Sequence, residues 1–391
     1  MPRKLKTSWL QAYRDYILKQ ESPDIFHFWV GLTMISASLR RHIWIDRGAY
    51  KVYPNQYVIL LAESALCRKS VAMNIGMDLL KPNKEIRIVY ERTTLEGLMD
   101  IMKGAWVSPS GKIKTDGSVT LHADELSNLF SKASYITDLV SFLTAIYTSP
   151  SGRKDFLTRN KGWCKVVDPC AVLITGTTPE QLGEIFPVIS LVSGFMGRVL
   201  LIVGKKGKRV AKPLLKESMR QTLADDLFHI GTLEGPMIVP DETEKAFTDW
   251  YEAMSGPPSP ELASFYERKH DHVWKTAMLI SIAESDDMIL TPTHFYAALA
   301  EINHVEDNIP RAIAYIGATE RSGLGEIVLR IIRKSAPLPV SHSVLLRRMH
   351  RKIQDKDEFQ VIIDTLKESR LIKEEVRGAG IYYTSRKDDE E

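Results

Sequence analysis

The stretch Tyr57-Val58-Ile59-Leu60-Leu61-Ala62-Glu63-Ser64-Ala65-Leu66-Cys67-Arg68-Lys69-Ser70 decides the fold. Its first five residues are a continuous apolar run of strand length. That pattern suits a strand buried on both faces of a parallel sheet. A loop of small residues follows, and Val71, Ile75, Met77, Leu79 and Leu80 then continue as a helix that stops at Pro82. Strand, short loop carrying Lys-Ser, helix is the order of a phosphate-binding βα unit. Such a loop holds phosphate with backbone N–H groups and a helix N-terminus. It adds a Lys on the β/γ-phosphates and a Ser/Thr hydroxyl on magnesium. Lys69 and Ser70 stand at those two positions. In the register G-x-x-x-x-G-K-[ST], Glu63 and Arg68 replace the glycines. Arg68 brings positive charge and Glu63 negative charge, and without glycine a positive φ is no longer cheap. From this stretch alone, an ordinary strand–loop–helix with a surface lysine reads equally well.

Further apolar runs lie at residues 86–90, 119–123, 170–175 and 198–203, with helical patterns at 94–102 and 137–147 between them. Strands alternating with helices predict a three-layer α/β core. The run at 119–123 ends in Asp124-Glu125. In a nucleotide site the Asp holds the magnesium shell and the Glu orients and activates water. An acidic helix cap is the other reading. The run at 170–175 ends in Gly176-Thr177-Thr178-Pro179. Thr177 or Thr178, at the tip of a strand beside the phosphate strand, is placed to sense a γ-phosphate, although the same residues support a plain turn. Gly194-Phe195-Met196-Gly197-Arg198 precedes the next strand. Arg198 is a candidate arginine finger toward a neighbouring subunit's nucleotide, or a structural ion pair. Arg268, near the start of a helix expected over 265–283, is a candidate phosphate contact from a helical lid. Lys269, His272 and Lys275 share that helix, and His272 reads as structural. The ordered set is more specific than any member, and it predicts a P-loop NTPase core binding ATP and Mg2+.

Four regions follow: an N-terminal helical segment (1–50), the ATPase core (51–216), a helical lid region (217–320) and a winged-helix domain (323–387). The last rests on three amphipathic helices followed by a hairpin turning at 377–380. Two basic clusters are candidate nucleic-acid contacts. Arg153, Lys154, Arg159, Lys161 and Lys165 surround Phe156 and Trp163, so charge can hold phosphates while an aromatic ring stacks on a base. Arg347, Arg348, Arg351 and Lys352 cluster at the end of the second C-terminal helix.

Composition narrows the class. The chain has 391 residues, 44% of them hydrophobic and 26% charged, as in ordinary globular proteins. Lys and Arg number 52 against 49 Asp and Glu, a net charge of +3, which excludes binding of nucleic acid by bulk charge. Three irregularly spaced cysteines give neither a disulfide framework nor a zinc pattern. With no secretory leader evident and no apolar run of roughly 18–20 residues, the expected location is the reducing cytoplasm of a bacterial or phage-infected cell.

With these residues in hand, the chain resembles a family of phage and prophage ATPases described as primase-associated or replicative helicases, within the P-loop NTPase superfamily near its AAA+ and RecA-like branches. The resemblance covers roughly residues 9–285. It rests on Phe26-His27-Phe28-Trp29 followed by Leu39-Arg40-Arg41, on Ser64 and Cys67-Arg68-Lys69, on Asp124-Glu125, on Thr175 to Pro179, and on Gly194-Phe195 with Arg198. The family's loop often reads Gly-Pro-Ser-Gly-x-Cys-Arg-Lys. Here Ala62, Glu63 and Ala65 replace its Gly, Pro and Gly, and either Arg68 or Lys69 is the phosphate cation. The resemblance implies an ATP-driven DNA helicase or translocase of a mobile element, acting in replication. It also implies a homo-oligomeric ring such as a hexamer, single-stranded or forked DNA as partner, and a primase or polymerase on a separate chain. The region 149–165 is where several ring helicases carry a pore loop. The altered glycines leave an alternative open, a decayed ATPase serving as a DNA-binding replication or assembly factor. A duplex-specific regulator using the C-terminal domain is a third reading.

Overall fold

In the computed structural model, five apolar runs pair edge to edge and all parallel: β1 (Tyr57–Leu61), β2 (Ile88–Tyr90), β3 (Gly117–Ala123), β4 (Pro169–Thr177) and β5 (Val199–Val203). Their spatial order is β5-β1-β4-β3-β2. The structure describes residues 2–64, 66–107, 111–130, 133–158, 162–186, 194–350, 353, 356–378 and 380–385. Register aligns the strand ends: Leu61 lies opposite Thr177 on one side and Val203 on the other, while Ala123 lies opposite Thr175. The C-terminal tips of β1, β4 and β3 therefore form one edge.

Every residue of β1, β3 and β4 is buried, as expected for strands covered on both faces. Seven helices of this unit matter here: α1 (Trp9–Tyr16), α2 (Asp24–Leu39), α3 (Lys69–Leu80), α4 (Ala133–Ile146), α5 (Pro179–Ile185), α6 (Arg220–Ile230) and α7 (Lys269–Glu284). Val58 and Leu60, Val172 and Ile174, and Leu200 and Ile202 point to one face, into a core shared with α1, α2, α3, α6 and α7. Residues between them point to the other. There the Tyr57 hydroxyl donates to Leu143 O of α4 at 2.9 Å, and its ring lies 5.1 Å from Tyr147. Helices α2 and α3 meet at Gly76, where a Cβ would lie 2.4 Å from Val30 Cγ1. A close helix pair of this kind needs glycine at the contact.

The core cluster runs from Trp9 to Ile309, so stretches 1–50, 51–216 and most of 217–320 share it. The chain divides into two compact units, Met1–Ile313 and Ala314–Glu391. A helix α8 (Pro292–Ser335) supplies residues to both. The second unit holds the end of α8, a short strand Val340–Ser341, α9 (His342–Met349), α10 (Lys356–Glu368) and the hairpin Ile372–Arg377/Gly380–Ser385. Its three strands are antiparallel, with Gly380–Ser385 in the middle. Val328, Ile332, Leu345, Phe359, Ile363 and Tyr383 fill its core.

One local expectation changes. The helix expected over 265–283 is two helices, Ala263–Tyr266 and α7. The break at Arg268 lets Phe265 fold back and stack on His272, with ring centroids 5.1 Å apart. Between β2 and β3, Ile113–Thr115 pairs antiparallel with Ala105–Val107; residues 108–110 lie outside the described residues. All three cysteines are free thiols and buried. Among the described residues no helix is long and apolar enough to cross a membrane.

Burial keeps several histidines neutral. It pushes the pKa of His27 and of His272 down to about 4, and burial together with Arg40 lowers His42 as well. In the unfolded chain these rings titrate near about 6.5. Between that value and the folded one, the unfolded chain binds more protons than the native one, so stability falls as the pH falls. Acidification from pH 7 to pH 5 is expected to lower the thermal midpoint, with a loss of order several kcal/mol summed over these sites. A midpoint that holds or rises over this range would contradict the assignment of neutral, buried rings.

Candidate functional site

The loop after β1 is tied to the neighbouring strand tips. The Ala62 N–H donates to Thr177 O at 3.3 Å, and the Gly204 N–H to Leu61 O at 2.9 Å. Arg68 caps α3 in the left-handed region, with φ +48° and ψ +44°. This is the second glycine position of the motif, and here an arginine adopts what glycine adopts more easily. Its Nε donates to Glu21 Oε2 at 2.7 Å. Lys69 opens the helix and folds back over the loop: Nζ donates to Ala62 O at 2.6 Å and Glu63 O at 3.3 Å. Burial lowers the pKa of the lysine, and the fields of Cys67, Glu125 and Glu180 oppose that shift. Ser70 follows in the first turn, partly exposed; Ser64 is exposed, and Ala65 lies outside the described residues.

Gly176 joins this loop to the acidic strand tip. A Cβ on Gly176 would lie 3.0 Å from Asp124 O and 3.4 Å from Lys69 Cβ. The start of α3 and the end of β3 thus close over the tip of β4. Just past β3, the Asp124 N–H donates to Glu91 Oε1 at 3.0 Å, and Asn128 Nδ2 donates to Glu91 Oε2 at 2.6 Å. Asp124 Oδ1 is buried without a hydrogen-bond partner. His122 Nε2 lies 3.9 Å from it, on a ring held toward its neutral form chiefly by burial. Glu125 is exposed, and its Oε2 accepts from Gln181 Nε2 at 3.0 Å. Thr177 is buried and its hydroxyl donates to Thr178 O at 3.3 Å. Thr178 caps α5 by accepting from the Gln181 N–H. The turn chemistry at Thr178 is therefore present.

Sequence reasoning missed Glu91 and Gln181. Glu91 directly follows an apolar run, as Asp124 does, and Gln181 stands three residues after a helix cap. Both were visible as polar residues near strand tips, but only the tertiary fold brings them to Asp124 and Glu125. Among the described residues no group of three or more His, Cys, Asp or Glu forms a metal cluster. Magnesium does not need one, because it takes one or two carboxylates and completes its shell with phosphate and water. The unpaired Asp124 oxygen suits that role.

The two candidate arginines lie elsewhere. Arg198 immediately precedes β5, at the opposite edge of the sheet from Lys69, about 16 Å away for five residues of strand. Its guanidinium lies 5.9 Å from the Tyr147 ring centroid and donates to Gly194 O. Arg268 is found at this same edge. It caps α7, and His272, one turn on, bonds Gly197 O at 3.0 Å. Arg268 was expected to contact phosphate from a lid; the fold sets it beside Arg198 and away from its own chain's Lys69.

Of the first basic cluster, Lys154, Lys165 and Trp163 lie on the hairpin Arg153–Thr158/Gly162–Val167 and are exposed, Trp163 by 68%. Phe156 is half-buried, with its ring 4.8 Å from Phe142. Arg159 and Lys161 lie outside the described residues, and Arg153 begins the first strand. In the second unit, Arg347 and Arg348 are exposed in the last turn of α9. Arg351 and Lys352 lie outside the described residues. In comparisons with protein-family models and with curated proteins, nothing matches this chain.

The left-handed Arg68 generates a stability prediction. Arg68→Gly removes an exposed pair with Glu21, which contributes little, and relieves the backbone. Arg68→Ala removes the same pair and keeps the strain. The glycine variant is expected to be more stable than the alanine variant by about 1 kcal/mol in urea unfolding. An alanine variant equal or superior to glycine would rule out strain at this position.

Proposed function

We propose that this chain is a P-loop ATPase that works as an oligomer on DNA, most specifically as a helicase or translocase in replication of a mobile element. One observation carries this reading: Lys69, Asp124 and Glu125 converge at adjacent parallel strand tips around Gly176. A strand–loop–helix lysine and a strand-end acid pair occur separately in many proteins, but their meeting at one sheet edge is what nucleotide hydrolysis needs. On this reading the Lys69 amine exchanges its loop carbonyls for the β/γ-phosphates. Ser70 and Asp124 hold Mg2+, which when bound neutralises phosphate charge. Glu125, held by Gln181, orients the attacking water and accepts its proton. Glu91 fixes the backbone of Asp124 and so the aim of both acids. Thr177, opposite Leu61 at the tip of β4, is the proposed γ-phosphate sensor.

DNA binding is proposed from Trp163 with Lys165, an exposed ring and a cation two residues apart on one face of the hairpin, an arrangement that suits single strands, while Lys154 lies on the other face. Helices followed by a hairpin support reading the second unit as a winged helix, with Arg347 and Arg348 as its proposed backbone contacts. The altered loop glycines favour a second reading, a non-hydrolysing DNA-binding factor.

Steady-state ATP hydrolysis with and without single-stranded DNA separates the two. Wild type is expected to show DNA-stimulated turnover. Glu125→Gln is expected to lower it by about 10²–10⁴-fold with nucleotide binding retained, and Lys69→Ala to lose both. Wild-type turnover that survives in Glu125→Gln would exclude the assigned base, and absence of nucleotide binding in wild type would select the second reading. Independently, Arg347→Ala with Arg348→Ala is expected to reduce the salt dependence of duplex binding by about one to two phosphate contacts. An unchanged slope would remove these residues from the interface.

A further inference from the structure

We infer that residues 204–216 form a cationic strap that binds the phosphate backbone of a nucleic acid at the edge of the sheet that carries Lys69. The inference rests on the nucleic-acid part of the reading above and not on ATP hydrolysis. It names residues outside the hairpin that carries Trp163 and outside the second unit.

The charge is local. Residues 204–216 carry Lys205, Lys206, Lys208, Arg209, Lys212 and Lys216 and no acid, in a chain whose net charge is only +3. All six side chains are exposed. No described carboxylate lies within ion-pair distance of the five lysines, nor of Lys19, which is exposed beside them. Like charges held together without counter-charges repel one another, and a bound polyanion relieves that repulsion.

The backbone of the strap is fixed while its charges are not. It leaves β5 with the Gly204 N–H on Leu61 O at 2.9 Å. A Cβ on Gly204 would overlap the Phe26 ring, and one on Gly207 would lie 2.7 Å from Glu21 O. The two glycines therefore let the chain lie against the start of α2 and the loop before it. Further along, the Val210 N–H donates to Glu21 Oε1 at 3.0 Å, the Leu214 N–H to Lys19 O at 3.1 Å and the Lys216 N–H to Tyr16 O at 2.8 Å. The segment thus runs antiparallel beside residues 16–21, held by its main chain. Glu21 is the acid at the strap, and both its oxygens are taken, one by Val210 and the other by Arg68 Nε at 2.7 Å. One carboxylate so ties the strap to the start of α3.

The distribution of charge selects the partner. The cations fall at 205–206, 208–209, 212 and 216, in a row along the chain. A single phosphate is held by donors that converge on it, whereas a row of cations fits a linear polyanion. The strap has no aromatic residue, so it offers phosphate contacts without base stacking. Leu18 and Leu214 are exposed, but they adjoin the single Lys19–Leu214 pairing and make no apolar face of the kind that enters a lipid surface. The strap follows the C-terminal end of β5, whereas the hairpin with Trp163 leads into the N-terminal end of β4. The two basic surfaces therefore stand at opposite ends of the parallel sheet.

Binding of the full chain to duplex and single-stranded oligonucleotides, measured against salt, tests the inference. Lys205→Gln with Lys206→Gln and Lys208→Gln is expected to lower the slope of log affinity against log salt by about 2–3 units, with an unchanged thermal melt. Arginine at the same three positions is expected to keep the slope. Lys84→Gln with Lys103→Gln and Lys245→Gln removes equal charge from exposed sites elsewhere and is expected to leave the slope at the wild-type value. An unchanged slope in the strap variant, or an equal fall in the second set, overturns the inference. Chemical acetylation supplies a direct arm. Bound duplex is expected to protect Lys205, Lys206 and Lys208 and not Lys84, Lys103 or Lys245; strap lysines that stay reactive in the complex overturn the inference. Vesicles of anionic phospholipid test the other surface such a strap could meet. Vesicle binding lost in the strap variant, with its nucleic-acid binding unchanged, makes the strap a membrane contact and defeats the inference. Wild type that binds no nucleic acid defeats the nucleic-acid reading and the strap together, whereas binding indifferent to the strap defeats the strap alone. Strap-dependent binding by a protein that hydrolyses no ATP defeats the enzyme reading and supports the strap.

Discussion

The missing side chain at Gly176 sets how near the two halves of the site come. The tip of β4 carries no Cβ where Asp124 O and Lys69 Cβ approach. A methyl group there would press on backbone on one side and on the first turn of α3 on the other. Everything chemically interesting at that edge follows from this closeness. Lys69 feels the carboxylates of Glu125 and Glu180, Ala62 pairs with Thr177, and Gln181 reaches Glu125. The parallel sheet supplies the edge, and the glycine lets its strand tips act as one surface.

Much of this was legible in the sequence because burial on both faces writes a simple signal. Apolar runs marked β1, β4 and β5, apolar residues interrupted by Arg87 or by Thr120 and His122 marked β2 and β3, and residues placed just after these stretches mark what sits at the sheet edge. Lys69, Asp124, Glu125 and Thr177 are readable for that reason. Glu91 and Gln181 were not, because their partners are 33 and 56 residues away in sequence and no periodicity encodes the hydrogen bonds. Arg268 illustrates a different limit. Its helical context was visible, but the edge of the sheet to which that helix delivers it depends on the stacking of Phe265 on His272 and on the anchoring of Lys275. Those contacts join segments far apart in the chain. Phe156 is a third case, a ring that reads as exposed beside basic residues yet packs on Phe142.

The buried polar groups of α7 share a theme. Lys275, Thr276, His272 and Lys269 all sit inside and all have partners: Tyr53 and Asn55, Gln56, Gly197 and Tyr147, and Glu306. A buried amine without such acceptors would be costly. The acceptors of Lys275, Tyr53 O and Asn55 Oδ1, belong to the segment leading into β1, and Gln56 beside them donates to Thr276, so the helix fixes the entry of the central strand. A change that loosens Lys275 therefore reaches the start of the central strand as well as the helix.

Lys69 donates to the carbonyls of Ala62 and Glu63. The loop after β1 thus satisfies its own cation. An empty loop with a stranded ammonium group would favour holding on to any anion available, product included. A loop that re-forms two internal hydrogen bonds as the ligand leaves has a resting state of its own. On the proposed ATPase reading, release of nucleotide would restore these two hydrogen bonds.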